Sequence, residues 1–144
     1  MELVRSRLLS EGSIWPIGSL SAIYLSQGLS GGTLFALTTY LVSIGSSVTD
    51  ISLLLSITMI PWTLKVFIGP IIDSFTISRF GRRRFWVLIS QLMMILALLP
   101  LVFIEVLEVN WVMISLLTLH NTFVAISDIA HDALAAVSLK EDQL

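Results

Sequence analysis

Between Glu11 and Asp50 the chain carries no Asp, Glu, Lys or Arg, and the same holds between Arg84 and Glu105 and between Glu108 and Asp128. A helix needs roughly 20 predominantly apolar residues to cross a bilayer, and each of these intervals can hold one. A fourth apolar run, from Ile51 to Ile72, is interrupted only by Lys65. The pattern predicts four transmembrane helices, over about 14–43, 50–73, 84–104 and 110–136. Four long apolar runs exclude a β-barrel, whose strands alternate and are about half as long, so backbone groups must be satisfied inside helices.

Composition agrees: 56% of residues are hydrophobic and 12% charged, with a mean hydropathy of +0.94, against roughly 25% charged in a soluble domain. The expected class is an all-α membrane protein. The first run is longer than a signal-peptide core and lacks a small-residue cleavage site, so it reads as a span. The chain has no cysteine, which excludes disulfides, thiolate metal sites and cysteine nucleophiles. It also has no GxxxxGK[ST] phosphate loop, which excludes nucleotide hydrolysis by that route. No cofactor and no metal are expected, and the expectation is that the chain is not an enzyme.

The basic residues are distributed unevenly. Arg5 and Arg7 precede the first run, Arg79 and Arg82 to Arg84 fall between the second and third, and Lys140 follows the fourth, whereas IGSSVTD and EVLEVN hold no Lys or Arg. The positive-inside rule then makes the N-terminus, the arginine loop and the C-terminus cytoplasmic. Asp73 at the end of the second span and Arg82 to Arg84 at the start of the third each oppose the local helix dipole, at about 0.3–1 kcal/mol per group. Pairing within the loop, or with helix ends elsewhere, would compensate; solvation of Asp73 is the plainer reading.

Lys65 is the charge hardest to explain structurally. It lies eight positions before Asp73, roughly 12 Å inward at a rise of 1.5 Å per residue. At a helix centre such a charge costs about 2.5–3.5 kcal/mol, and intramembrane ionisable residues mark functional sites. Measured back from Lys140, Asp132 and Asp128 on the fourth helix lie at depths of roughly 12 and 18 Å. Lys65 with Asp128 or Asp132 is therefore the candidate pair, exchanging a proton or an anionic group. The competing reading has Lys65 snorkelling to the surface and the aspartates, with His131, forming a polar helix terminus. His120 and His131 are nearly on one face of the fourth helix; with Asp128 beside them they suggest a proton relay or a metal site, the latter disfavoured by a spread of about 16 Å.

In the first run, YLSQGLSGGTLF places Gly28 and Gly32 in a GxxxG arrangement beside Gly31. Small residues of this kind permit close helix packing; the alternative is that they border a cavity faced by Tyr24 and Gln27. Pro61 and Pro100 predict kinks within spans. Trp15, Trp86 and Trp111 fall where an interfacial belt is expected. Trp62, deeper and close to Lys65, packs either against a helix or against a bound solute.

Gly69, Asp73, Gly81, Arg82 and Arg83, with Arg84 following, resemble the signature of the loop between the second and third helices of major facilitator superfamily transporters. Seven residues, SFTISRF, separate Asp73 from Gly81, a longer spacing than the superfamily's compact form. Together with PWTLKVFIGPIID, FWVLISQL and SDIAHDAL, that spacing is similar to the AmpG-like permeases, relatives of the acetyl-CoA transporters. The resemblance covers about residue 27 to the end. It implies the first part of a six-helix N-terminal bundle in a twelve-helix secondary transporter working by alternating access, with proton coupling and an amphiphilic anionic solute of muropeptide type. The loop residues would then act as a gate, and Tyr24 and Gln27 would line the cavity. The implied partners are the lipid bilayer, a small-molecule substrate, protons and the remaining C-terminal helices of a longer parent chain, with no nucleic acid. The implied location is the cell's inner (plasma) membrane. A folate or pterin carrier and a small four-helix membrane protein that oligomerises without transporting are the alternatives.

Overall fold

The computed structural model describes residues 14–74, 84–105 and 108–138. The described chain is helical. α1 spans Ile14–Ser43, α2 Val48–Thr58, α3 Ile60–Thr63, α4 Lys65–Ser74, α5 Arg84–Leu98 and α6 Trp111–Ser138; a 3-10 segment, Leu99–Phe103, continues α5.

The turns are set by local chemistry. Gly45 has φ +81°, a conformation that costs a side-chain-bearing residue about 1–2 kcal/mol. It lets the Ser46 N–H reach back to the Leu41 carbonyl and its own N–H to that of Val42, the paired bonds that close a helix C-terminus. Two residues later the Ser47 hydroxyl accepts the Asp50 N–H at 3.1 Å and donates to the Asp50 carboxylate at 2.7 Å. This cap starts α2 at Val48, two residues ahead of the start expected from charge spacing, and puts Asp50 in the first turn, where the dipole favours an anion. Asn110 does the same for α6, its side-chain oxygen accepting the Met113 N–H at 2.9 Å.

The second span, expected as one helix over about 50–73, is broken at Met59 and again at Leu64. Pro61 has no N–H to give the Ile57 carbonyl, and the Trp62 N–H turns to the Met59 carbonyl at 3.1 Å. The Thr58 carbonyl is thereby freed. At the second break, Leu64, Val48–Thr63 and Lys65–Ile72 are bent by 41°. Pro100 likewise falls where α5 tightens into the 3-10 segment.

α6 is the central element, packed against all the others. Leu41, Ile51 and Leu54 meet Met113, Ile114 and Leu117 in a buried cluster at the end where the two connections without Lys or Arg lie. Along α5, Val87, Ser90, Met94 and Ala97 are buried, matched on α6 by Val124, Ala125 and Ala130. Small residues allow this close approach between helices in lipid.

Phe85–Phe103 and Trp111–Ala133 are each long and apolar enough to cross a membrane, and the bent pair Val48–Thr63 and Lys65–Ile72 makes a third span if taken together. α1 is long enough at 30 residues, about 45 Å, but its Ser, Thr, Gly and Gln content keeps it outside that group. Its hydroxyls bond back to its own carbonyls, as Thr33, Thr38 and Thr39 do at 2.8–3.0 Å. Such bonds satisfy polar side chains without water.

Candidate functional site

α1, the α2–α3 break and α6 enclose a cleft of about 620 Å³. Its apolar end is formed by Leu34, Phe35 and Leu55, and its polar end by Tyr24, Gln27, Trp62 and Asn121. Close to the polar end lies an ion pair. Lys65, the first residue of α4, donates to Asp128 Oδ2, and Gln27 donates its amide to Asp128 Oδ1, so both carboxylate oxygens are engaged. The Lys65 and Asp128 side chains are 24% and 14% exposed. At this depth a charge survives by pairing and hydrogen bonding.

The lysine ammonium also lies 4.5 Å from the centroid of the Trp62 ring, within cation–π range. Trp62 belongs to α3, between the two breaks, and lines the cleft as well. One turn beyond Asp128, Asp132 accepts a 2.9 Å hydrogen bond from the Tyr24 hydroxyl. Tyr24 and Gln27, three residues apart on α1, thus face Asp132 and Asp128, four apart on α6. These spacings put each pair on one helix face.

His131 is buried at 1% exposure and does not line this cleft. Its Nε2 lies 3.4 Å from the Ser127 hydroxyl of its own helix. Gly69 sits within α4 with open space around it. Gly81, Arg82 and Arg83, and the side chains of Trp15, Asp73 and Arg84, lie outside the described residues, as does Lys140. Among the described residues, no group of three His, Asp or Glu side chains is placed to hold a metal ion.

The glycines of α1 correct one expectation. A Cβ added at Gly28, Gly31 or Gly32 would meet nothing within 4 Å, so no described helix packs closely there. Gly28 and Gly31 line the cleft instead. Their lack of side chains leaves its wall open beside Gln27.

Asn121 was missed by sequence reasoning. Its side-chain amide donates to the Thr58 carbonyl at 2.8 Å, with both residues buried. A proline three positions past Thr58, facing an amide inside an apolar helix, is the signal that could have found it.

An all-helical chain with apolar spans and a charge-paired cleft between them is an integral membrane protein. It belongs to the BT1 family, whose profile matches residues 26–144. It is 35% identical over 79 residues to a protein of Rickettsia typhi provisionally named transporter AmpG 3, and equally so to the protein of that name in Rickettsia prowazekii. Each match covers 52% of this chain and 19% of the relative, so the chain spans about a fifth of the length of these relatives. The likeness to AmpG-like permeases carried by the loop and helix segments is thus borne out. No solved structure matches the chain.

Proposed function

We propose that the chain forms the first part of an AmpG-like secondary transporter, in which the cleft beside α1 is one wall of the substrate cavity. The observation that carries this reading is the Lys65–Asp128 pair next to that cleft, with Gln27 donating to the second carboxylate oxygen and Trp62 stacked against the ammonium. In this reading α1, α2 to α4, α5 with its 3-10 extension, and α6 are four spans, with the N-terminus cytoplasmic in the cell's inner membrane. The remaining wall comes from further helices of a longer parent chain, since such transporters bind at the interface between repeats near the midplane.

The cleft's make-up supports an amphiphilic, anionic solute. Its apolar body packs against Leu34, Phe35 and Leu55, and its acidic group approaches Lys65. An arriving anion competes with Asp128 for the ammonium, and a proton taken up by Asp128 releases the lysine while keeping the site neutral. Proton coupling follows from that exchange, and alternating access to the two sides of the membrane completes the proposed cycle. The arginine loop from Gly69 to Arg84 acts as the cytoplasmic gate.

The test is ligand-dependent stabilisation of the full-length parent in detergent or nanodiscs, with an anhydromuropeptide as the probe. Binding raises the melting temperature with concentration, and Lys65→Ala removes the rise. A melting temperature unmoved by muropeptide, and by other amphiphilic anions, would contradict the proposal.

A further inference from the structure

α1 separates two clefts. Gln27, Gly28 and Gly31 face the one beside Lys65, whereas Ser26, Ser30 and Thr33 face a second cleft, of about 330 Å³, walled by Gln91 and Met94 of α5 and His120 of α6. No role has been given to this second space.

His120 is only 4% exposed. Its Nδ1 lies 3.2 Å from the Met94 carbonyl. A carbonyl can only accept, so Nδ1 carries the hydrogen in the neutral ring and Nε2 carries a lone pair. That Nε2 is buried and has no hydrogen-bond partner, a costly arrangement for an acceptor. The hydroxyls across the cleft do not repair it. Thr33 donates back to the Leu29 carbonyl at 3.0 Å, and Ser30 to that of Ser26 at a long 3.4 Å. With their hydrogens so directed, both oxygens offer lone pairs to the cleft. The spacing of Ser26, Ser30 and Thr33 makes one stripe along α1.

The unmet Nε2 calls for a donor, and the smallest that fits is water, which donates to the lone pair of the neutral ring and accepts from Nε2–H once the ring is protonated; Gln91 on the same wall adds an amide to the polar lining. We propose that His120 is a proton-binding site, reached by water along the hydroxyl stripe of α1. A proton delivered by cleft water forms a bond to the Nε2 lone pair, giving an imidazolium that keeps its Nδ1–H on Met94; the same proton returns to water on release. The site is distinct from the Lys65–Asp128 pair and lies across α1 from it.

Few other ionisable groups compete there. α5 carries none between Phe85 and Leu98, and the tyrosines of α1, Tyr24 and Tyr40, do not line the cleft. On α6, Asp128, His131 and Asp132 lie two to three turns further along, and from the second span Lys65 is engaged with Asp128 while Asp50 is held by Ser47. Any use of this proton to drive uptake rests on the transporter reading, but the site itself does not.

The test reads protonation directly. The intact protein, with 15N-labelled histidine, is reconstituted in lipid nanodiscs, and its imidazole nitrogens are followed between about pH 5 and pH 8, the range over which histidine switches. His120→Asn keeps a donor for the Met94 carbonyl and removes Nε2, so the resonance it abolishes belongs to His120. The expected result is a neutral Nδ1–H tautomer at high pH that converts reversibly to imidazolium within this range. A ring that stays neutral throughout, or a neutral form protonated at Nε2, overturns the proposal. If His120→Asn does not assemble, a correlation from the Leu119 carbonyl to the His120 backbone nitrogen, continued through the 13C-labelled His120 side chain to its ring nitrogens in the unaltered protein, assigns the same signal. Absence of ligand binding in the parent would sink the transporter reading and leave this site standing; a silent His120 would do the reverse.

Discussion

Asn121 of α6 donates its side-chain amide to the Thr58 carbonyl, 2.8 Å away, at the point where the second span breaks. In a bilayer core a freed carbonyl finds no water, so non-helical backbone persists only where protein satisfies it. The asparagine thereby holds in place the short α3 turn that carries Trp62, and with it the start of α4 that carries Lys65.

Removing the donor should therefore be costly. Asn121→Ala is expected to destabilise the protein by about 1–3 kcal/mol, the cost of a buried acceptor left unpaired. Pro61→Ala restores a backbone N–H and lets the helix run on, so the Trp62 N–H can serve Thr58. The cost of Asn121→Ala should shrink in that background. Denaturation of both single variants and the double variant in mixed micelles measures the difference.

The ion pair makes a second cycle. Lys65→Ala and Asp128→Asn each strand a partner, whereas the double variant strands neither. The expected signature is a coupling energy of about 0.5–3 kcal/mol, the range for residues in one ion-pair network. Simple additivity would mean that the two side chains do not meet in the membrane.

Glycine positions divide into two kinds. Gly45→Ala should cost about 1–2 kcal/mol because its φ of +81° disfavours a side chain. At Gly28 and Gly31 an added methyl meets open space, so alanine there should leave stability unchanged or raise it slightly, glycine being destabilising by roughly 0.5–1 kcal/mol within a helix. Those two variants should instead narrow the cleft. Thermal melts of all three, with ligand binding for the last two, separate the cases.

Tyr24 is 44% exposed, and its bond to Asp132 is the outer rung beside Gln27 and Asp128. Tyr24→Phe should change stability by no more than about 0.5 kcal/mol, as surface substitutions do, while freeing Asp132 to compete for Lys65. An Lys65–Asp132 contact detected by crosslinking of the variant, and absent from the wild type, is the expected outcome.

Much of this arrangement was legible in the sequence. Charge-free intervals placed the helices, since burying ionised groups in lipid costs more than a span can recover. Lys65 stands out for the same reason, and helix depth leaves Asp128 and Asp132 as its candidate partners. The ruler used for depth assumed straight helices, which set Lys65 level with Asp132; the structure pairs it with Asp128 across a 41° bend. The earlier break, beside Pro61, depends on which carbonyl the proline frees and what answers it, and the answer comes from Asn121, 63 residues away. Tertiary contacts of that range leave no periodic trace. The arginine loop, so prominent in the sequence, lies outside the described residues.

The most direct measurement of the central claim is substrate uptake by the full-length parent in proteoliposomes under an imposed proton gradient, comparing wild type with Lys65→Ala and Asp128→Asn. The account predicts that both variants assemble in the membrane yet lose gradient-driven accumulation of an amphiphilic anion. Accumulation at wild-type rate by a correctly assembled Lys65→Ala protein would contradict it.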